Sequence, residues 1–259
     1  MHAHLVQLDI AWEDRAANYR KVAALLDAAP PFPGDLIVLP EMFDSGFSFR
    51  LEVNADRDQS TLRFLRDLAM QYRATVHGSR TVLDAAGRGL NRTTVIGPDG
   101  STLTEYDKRH PFSLGPAGQR ECDAFAAGDR CVTYSWHCGD QSIAVCPAIC
   151  YDLRFPELFR EGLKAGAEMF VVPANWPDTR TAHWRALLTA RAIENQAFVL
   201  GVNRAGTDPA LRYPGASMAI DPLGVTLAEA DAREQVLRVE IPRRTLDDWR
   251  TRFPAWREA

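Results

Sequence analysis

Short apolar runs recur along the chain, most of them closed by Pro, Gly, Asn or Asp, and the stretches between them repeat at helical spacing. The runs Leu5 to Asp9, Leu36 to Leu39, Thr75 to Ser79, Thr102 to Tyr106 and Val132 to Trp136 predict strands. So do Ile143 to Ile149, Met169 to Val172, Phe198 to Val202, Ser217 to Ile220, Val225 to Ala228 and Val236 to Ile241. Several are apolar at consecutive positions, the mark of strands buried on both faces. Helical spacing appears from Ala16 to Ala28, through Tyr19, Val22, Leu25 and Leu26. It returns from Ser60, read as an N-cap, to Arg73, then after Pro156 and from Thr181 to Gln196. Asp84–Gly87, Pro98–Gly100, Gly139–Asp140 and Asp221–Gly224 read as turns, and Pro111 to Asp129 as a loop without a firm period. No low-complexity linker divides residues 1–259, so the pattern predicts one α/β domain whose helices cover a large, mixed sheet system.

Composition narrows the picture. Hydrophobic residues make up 46% of the 259, enough for a sizeable core. A net charge of −4 and the lack of a basic stripe argue against nucleic acid as a partner. No apolar run approaches membrane-span length, and the N-terminus lacks the layout of a signal peptide. Five cysteines, an odd number, argue against a disulfide framework and for a reducing compartment; the expected location is cytoplasmic.

The chemistry centres on Ala144 to Pro156, where an apolar strand ends abruptly at Cys150 and a helix opens at Pro156. Such a turn exposes one side chain above a sheet and surrounds it with backbone N–H groups, an environment expected to lower a thiol pKa. Most cysteines beside apolar strands are packing residues, and Cys146, inside the run, is read that way. Two other strands end comparably: Leu36 to Leu39 leads to Glu41, and Thr102 to Tyr106 leads to Lys108. Singly, each is more often a solvated loop residue. Together they place a carboxylate, an ammonium and a thiol beyond strand carboxyl ends, where open α/β sheets bind ligands. That set suits amide hydrolysis: thiolate attack, proton transfer by the carboxylate, oxyanion stabilisation by the ammonium.

Leu39-Pro40-Glu41-Met42-Phe43, Tyr106-Asp107-Lys108-Arg109-His110 and Cys150-Tyr151-Asp152-Leu153-Arg154-Phe155-Pro156 resemble, in order, the three signature segments of the nitrilase superfamily of carbon–nitrogen hydrolases. The resemblance implies a four-layer αββα sandwich, a homodimer and no metal or organic cofactor. It implies Glu41 as general base, Lys108 as oxyanion and proton-relay residue, Cys150 as nucleophile, and Glu121 as a second glutamate of the site. Ala174-Asn175-Trp176-Pro177, His183-Trp184 and Arg191 to Gln196 are similar to the omega-amidase group, which hydrolyses the terminal amide of 2-oxo acids derived from glutamine and asparagine. Pro111 and the Gly115–Gly118 stretch depart from the pattern, in the loop expected to cover the pocket.

Phe43, Phe47, Phe112 and Trp176 are expected to wall the pocket, with Tyr151 and Asn175 beside them, although aromatics at strand ends are more often core. A substrate carboxylate would need a cationic partner: Arg180 is the expected one, and Arg154 is read as a structural ion pair. Arg191, Glu194 and Asn195 share a helix face and read as a polar brace for the sheet. Phe253 to Trp256 is a candidate dimer contact, or an end that folds back on its own subunit. Two rivals remain. A Cys–His hydrolase would use His110 or His183 as base, and a zinc module would use Cys131, Cys138, Cys146 and Cys150, whose spacing is poor for tight ligand pairs.

Overall fold

Two six-stranded sheets take up most of the apolar runs in the computed structural model, which describes residues 1–118 and 120–258. The first half of the chain contributes β1 (His2–Gln7), α1 (Arg15–Ala28), β2 (Leu36–Val38), α2 (Leu51–Asn54), α3 (Ser60–Tyr72), β3 (Thr75–Leu83), β4 (Gly89–Ile96), β5 (Thr102–Asp107) and α4 (Glu121–Ala124). Then come β6 (Tyr134–Cys138), β7 (Gln141–Pro147), a 3-10 turn at Cys150–Arg154, α5 (Pro156–Lys164), β8 (Met169–Ala174), α6 (Thr181–Asn195) and β9 (Phe198–Asn203). The chain ends through β10 (Ala205–Thr207), β11 (Arg212–Pro214), β12 (Met218–Ile220), β13 (Thr226–Glu229), β14 (Gln235–Glu240) and α7 (Arg243–Arg252). The sheet orders are β14-β1-β2-β3-β4-β5 and β13-β12-β9-β8-β7-β6. Each has a parallel centre, β1–β2–β3 or β7–β8–β9, flanked by antiparallel strands.

Alternation along the central strands builds the layers. In β2, Leu36 and Val38 join Met169 and Val171 of β8 in a core between the sheets. The intervening Ile37, with Leu39, faces outward onto Val22 and Leu26 of α1 and Leu62, Leu65 and Leu68 of α3. Phe170 and Val172 face the other way, onto Leu158 and Phe159 of α5 and Trp184 and Leu188 of α6. Because side chains alternate with period two and both faces are covered, three apolar layers separate four layers of secondary structure, the αββα sandwich. Each fully buried side chain of this kind contributes about 1.5–3 kcal/mol. Gly78 lets α3 approach β3 closely: a Cβ there would lie 2.4 Å from Leu65 Cδ2.

The structure adds to or departs from the sequence reading at four places. Ser60 is the first residue of α3, not its cap; Asp56 caps the helix, accepting from the N–H groups of Thr61 at 2.9 Å and Leu62 at 3.1 Å. Helix α7 was not legible, because its charged residues leave only Leu246 buried. The Phe253 to Trp256 segment folds back on its own chain. Gln196 Nε2 donates to the Phe253 carbonyl at 2.8 Å, and the Trp256 N–H donates to Gln196 Oε1 at 2.7 Å. The Arg191 network also braces something other than the sheet: its guanidinium donates to the Leu153 carbonyl at 2.8 and 3.2 Å, holding the turn after Cys150.

Candidate active site

Glu41 follows β2 through Pro40, and its successor Met42 takes a left-handed φ of 44° that turns the chain away from the sheet. Its carboxylate is fully buried and hydrogen-bonded at both oxygens. Oε1 accepts from Lys108 Nζ and Asn91 Nδ2, both at 2.8 Å, and Oε2 accepts from the backbone N–H of Asn175 at 2.9 Å. Asn175 Nδ2 also donates to the Glu41 carbonyl at 2.7 Å. Lys108, one residue past β5, is held by its own N–H donating to the Asn91 carbonyl at 2.9 Å. Its ammonium reaches Glu121 Oε2 at 2.8 Å as well as Glu41, so one cation bridges two buried carboxylates. Burial alone would lower the Lys108 pKa, but Glu121 and Glu41 outweigh it and hold the ammonium well above its ordinary value. Burial raises the Glu121 pKa, opposed by Lys108 and assisted by Glu41. Glu121 further accepts from the Phe112 N–H at 2.6 Å and from Asn91 Nδ2 at 2.9 Å.

Cys150 stands at the end of the segment after β7, with a left-handed φ of 47° rare for a residue with a side chain. It is 8% exposed. Asp152 ties the turn together: it accepts from the Ile149 N–H at 2.9 Å, the Tyr106 hydroxyl at 2.7 Å and the His110 N–H at 3.0 Å. The expected lowering of the thiol pKa is overturned. Burial and the charge of Glu41 push it well above its ordinary value, against Lys108 and the Asn175 N–H. The turn itself is a five-residue 3-10 segment, and α5 begins only at Pro156.

A cleft opens over Cys150 and Lys108. Of the expected contacts, Phe47, Phe112, Tyr151, Asn175, Trp176 and Arg180 line it. Phe43 does not: it is fully buried on the α1/α3 side, with Tyr19 and Phe64 rings at 6.2 and 6.1 Å. Leu211 and Tyr213, from around β11, complete the wall and were not foreseen. Arg154 also lines it, its guanidinium 4.9 Å from the Trp176 ring centroid; Arg180 lies 5.9 Å from that of Phe112. Among the described residues neither arginine has a carboxylate partner within 4.0 Å, so Arg154 is not the structural ion pair expected of it.

His110 is spoken for elsewhere. Its Nδ1 lies 2.7 Å from Asp152 Oδ1, its ring stacks on Phe155 at 3.7 Å, and it is not on the cleft wall. His183 is exposed, with Nδ1 3.2 Å from Arg154 Nη2. Among the described residues no three His, Cys, Asp or Glu side chains are grouped to hold a metal ion. No helix among them is long and apolar enough to cross a membrane.

Known proteins resemble the chain over most of its length. The chain is 37% identical to the omega-amidase YafV of Escherichia coli (strain K12), over 98% of this chain and 95% of that one. It is also 37% identical to a 2-oxoglutaramate amidase of Paenarthrobacter nicotinovorans, over 93% and 82%. The crystal structure of XC1258 from Xanthomonas campestris, a CN-hydrolase superfamily protein with an arsenic adduct in its active site, superposes with a TM-score of 0.90 at 35% identity, covering 100% of this chain and 97% of that one. The carbon–nitrogen hydrolase family model matches residues 3–251, nearly the whole length over which the two sheets and the Glu41, Lys108 and Cys150 turns are built. The chain belongs to the carbon–nitrogen hydrolase family.

Proposed function

We propose that this protein is an omega-amidase: it hydrolyses the terminal amide of a small 2-oxo dicarboxylic acid monoamide, such as 2-oxoglutaramate or 2-oxosuccinamate, through a thioester on Cys150. The observation that carries the reading is the buried Glu41–Lys108–Glu121 bridge behind a cleft that presents Cys150 and two arginines without carboxylate partners among the described residues. Glu41 accepts the thiol proton as sulfur attacks the amide carbon, because a thiol with a raised pKa needs a base at the moment of attack. The ammonium of Lys108 then stabilises the oxyanion, already placed and already charged, so little reorganisation is needed. Glu41 returns the proton to the amide nitrogen, the C–N bond breaks and ammonia leaves. Water, deprotonated by Glu41, attacks the thioester; the acid departs and the thiol is restored. Glu121 does not exchange protons with substrate in this scheme. It fixes Lys108 and keeps it cationic.

The far end of the substrate carries a carboxylate, whose burial is costly without a cationic partner. Arg180 is that partner in this reading, with Arg154 across the cleft; Phe112, Tyr151 and Trp176 shape the apolar middle. The names and the 37% identity of the YafV and 2-oxoglutaramate amidase relatives support this substrate class. Residues 1–259 are taken as a single hydrolase domain working as a homodimer in the cytoplasm, without metal or organic cofactor. The exposed apolar side chains Ile193, Leu223 and Val225 support association, and five free thiols suit a reducing compartment. The test is turnover on a panel of 2-oxoglutaramate, 2-oxosuccinamate, an aliphatic amide, a nitrile and an N-carbamoyl amino acid, with mass in solution measured alongside. Preference for the first two supports the proposal. Turnover of only the nitrile or the carbamoyl compound would move the chain to another activity of the same family.

A further inference from the structure

Outside the catalytic cluster, two thiols stand together. Cys131 and Cys146 have their sulfurs 3.7 Å apart. We propose that this pair is a peroxide-responsive modification site that closes to an intrachain disulfide, separate from the nucleophile Cys150. The geometry has three parts. Cys146 lies in β7, immobilised by pairing with Phe170 of β8, and its sulfur fills the space that Gly162 of α5 leaves open: a Cβ there would lie 2.9 Å from it. Cys131 sits in irregular backbone just before β6. Because β6 enters the ladder with Tyr134 opposite Val145, the preceding segment runs on beside Cys146. A disulfide has its sulfurs about 2.05 Å apart, so the pair must close by a little under 2 Å. That movement falls on the irregular segment, which can absorb it, rather than on the central strand.

Access and reactivity are divided between the two thiols. Cys131 is half-buried and reachable, whereas Cys146 is fully buried. The hydrogen bond between the two thiols, against burial and with help from Arg109, lowers the Cys131 pKa, and the same bond together with burial raises that of Cys146. Cys131 is thus the attacking thiolate and Cys146 the resolving thiol. In the first step Cys131 sulfur attacks hydrogen peroxide. An S–O bond forms, the O–O bond breaks, and the departing oxygen takes a proton and leaves as water, giving a sulfenic acid. In the second, Cys146 sulfur attacks Cys131 sulfur. The S–O bond breaks, hydroxide leaves with the Cys146 proton as a second water, and the S–S bond forms. Two electrons pass from the two thiols to the peroxide, and no further reactant is needed.

The segment leading into Cys131 touches the strand end that carries Lys108. The Gly128 N–H, three residues before Cys131, donates to the Lys108 carbonyl at 2.8 Å. The Gly128 Cα approaches so closely that a Cβ would lie 2.1 Å from the Asp107 carbonyl oxygen.

The experiment exposes the reduced full-length protein to hydrogen peroxide, blocks remaining thiols by alkylation, and maps the digest by mass spectrometry before and after dithiothreitol. The expected result is a Cys131–Cys146 cross-linked peptide, two hydrogens lighter than its parts and restored by reductant, with a rise of several degrees in Tm. Cys131→Ser should abolish the cross-link and leave Cys146 a free thiol under the same dose. Oxidation of Cys131 to sulfinic acid with Cys146 untouched would overturn the proposal, as would a cross-link to another cysteine. A Cys146→Ala variant should convert Cys131 from disulfide to trapped sulfenic acid, and an unreactive Cys131 there would also overturn it. None of these readouts depends on amide hydrolysis.

Discussion

Asn91 has no motif around it, yet its side-chain amide donates to both acids of the bridge, Glu41 Oε1 at 2.8 Å and Glu121 Oε1 at 2.9 Å. Replacing it with Leu keeps the branched shape and removes both donors without leaving space for water. Hydrogen bonds to charged groups contribute about 1.5–3 kcal/mol each, which sets an upper bound of roughly 3–6 kcal/mol for the pair. The two acids share Lys108, so part of the loss is taken up by their remaining bonds, and the contributions do not add. We therefore expect about 3 kcal/mol, or about two decades in kcat/KM. Direction matters as much as size. Removing a donor from a carboxylate disfavours its ionised form, so the acidic limb of the pH–kcat/KM profile should move to higher pH. The assay is ammonia release from 2-oxoglutaramate across pH, with circular dichroism and Tm to show that the variant folds. Asn91→Ala, which admits water, should lose less. A folded Asn91→Leu enzyme with unchanged kcat/KM and an unmoved acidic limb would refute the claim that Asn91 sets the charge state of the site.

The other expectations are simpler. Lys108→Arg keeps the charge but puts a wide planar fork where a compact ammonium sits 2.8 Å from two carboxylates, so it should cost about 2.7–4 kcal/mol, two to three decades in kcat; near-normal turnover would remove Lys108 from the oxyanion role. Arg180→Ala should lower kcat/KM for 2-oxoglutaramate about ten- to two-hundred-fold and leave a neutral short-chain amide almost unaffected; equal losses on both would make Arg180 structural. His77 is fully buried between the sheets, and burial pushes its pKa down from 6.5 to about 3. The unfolded chain binds a proton that the folded chain refuses, so stability is intact above about 6.5 and is lost as pH falls toward 3, by about 2 kcal/mol at pH 5. Urea melts at pH 7 and pH 5 should show a smaller drop for His77→Gln than for the parent; identical drops would acquit His77.

Glu41, Lys108 and Cys150 were legible because each follows an apolar run cut short by its own punctuation, and strand ends are the part of an α/β fold that sequence marks most clearly. Asn91 was not, because it lies inside β4 and faces the acids only through the register that sets it opposite Thr81. Leu211 and Tyr213 reach the cleft from a three-residue strand with no periodicity to read. Phe43 was misplaced for a local reason: it adjoins Glu41 in sequence, but the left-handed Met42 between them sends it to the opposite face. The thiol pKa was misjudged because the turn after Cys150 looks in sequence like a helix entrance, while the fold puts a carboxylate and near-complete burial there instead. Burial on both faces, by contrast, was legible in Leu36 to Leu39 and Met169 to Val172, since consecutive apolar residues in a strand require cover on both sides, whereas the stacking of two sheets face to face came from the family resemblance.

Cysteine thioester chemistry is the central claim, and trapping the acyl group tests it most directly. The enzyme would be mixed with 2-oxoglutaramate, quenched in acid within the first turnovers, and examined by intact mass and peptide mapping, beside Cys150→Ala. The expected result is an adduct of the substrate minus ammonia on the peptide carrying Cys150, discharged on further incubation and missing from a folded, inactive Cys150→Ala protein. An acyl group on another residue, or a Cys150→Ala protein that still releases ammonia at the parent rate, would contradict it.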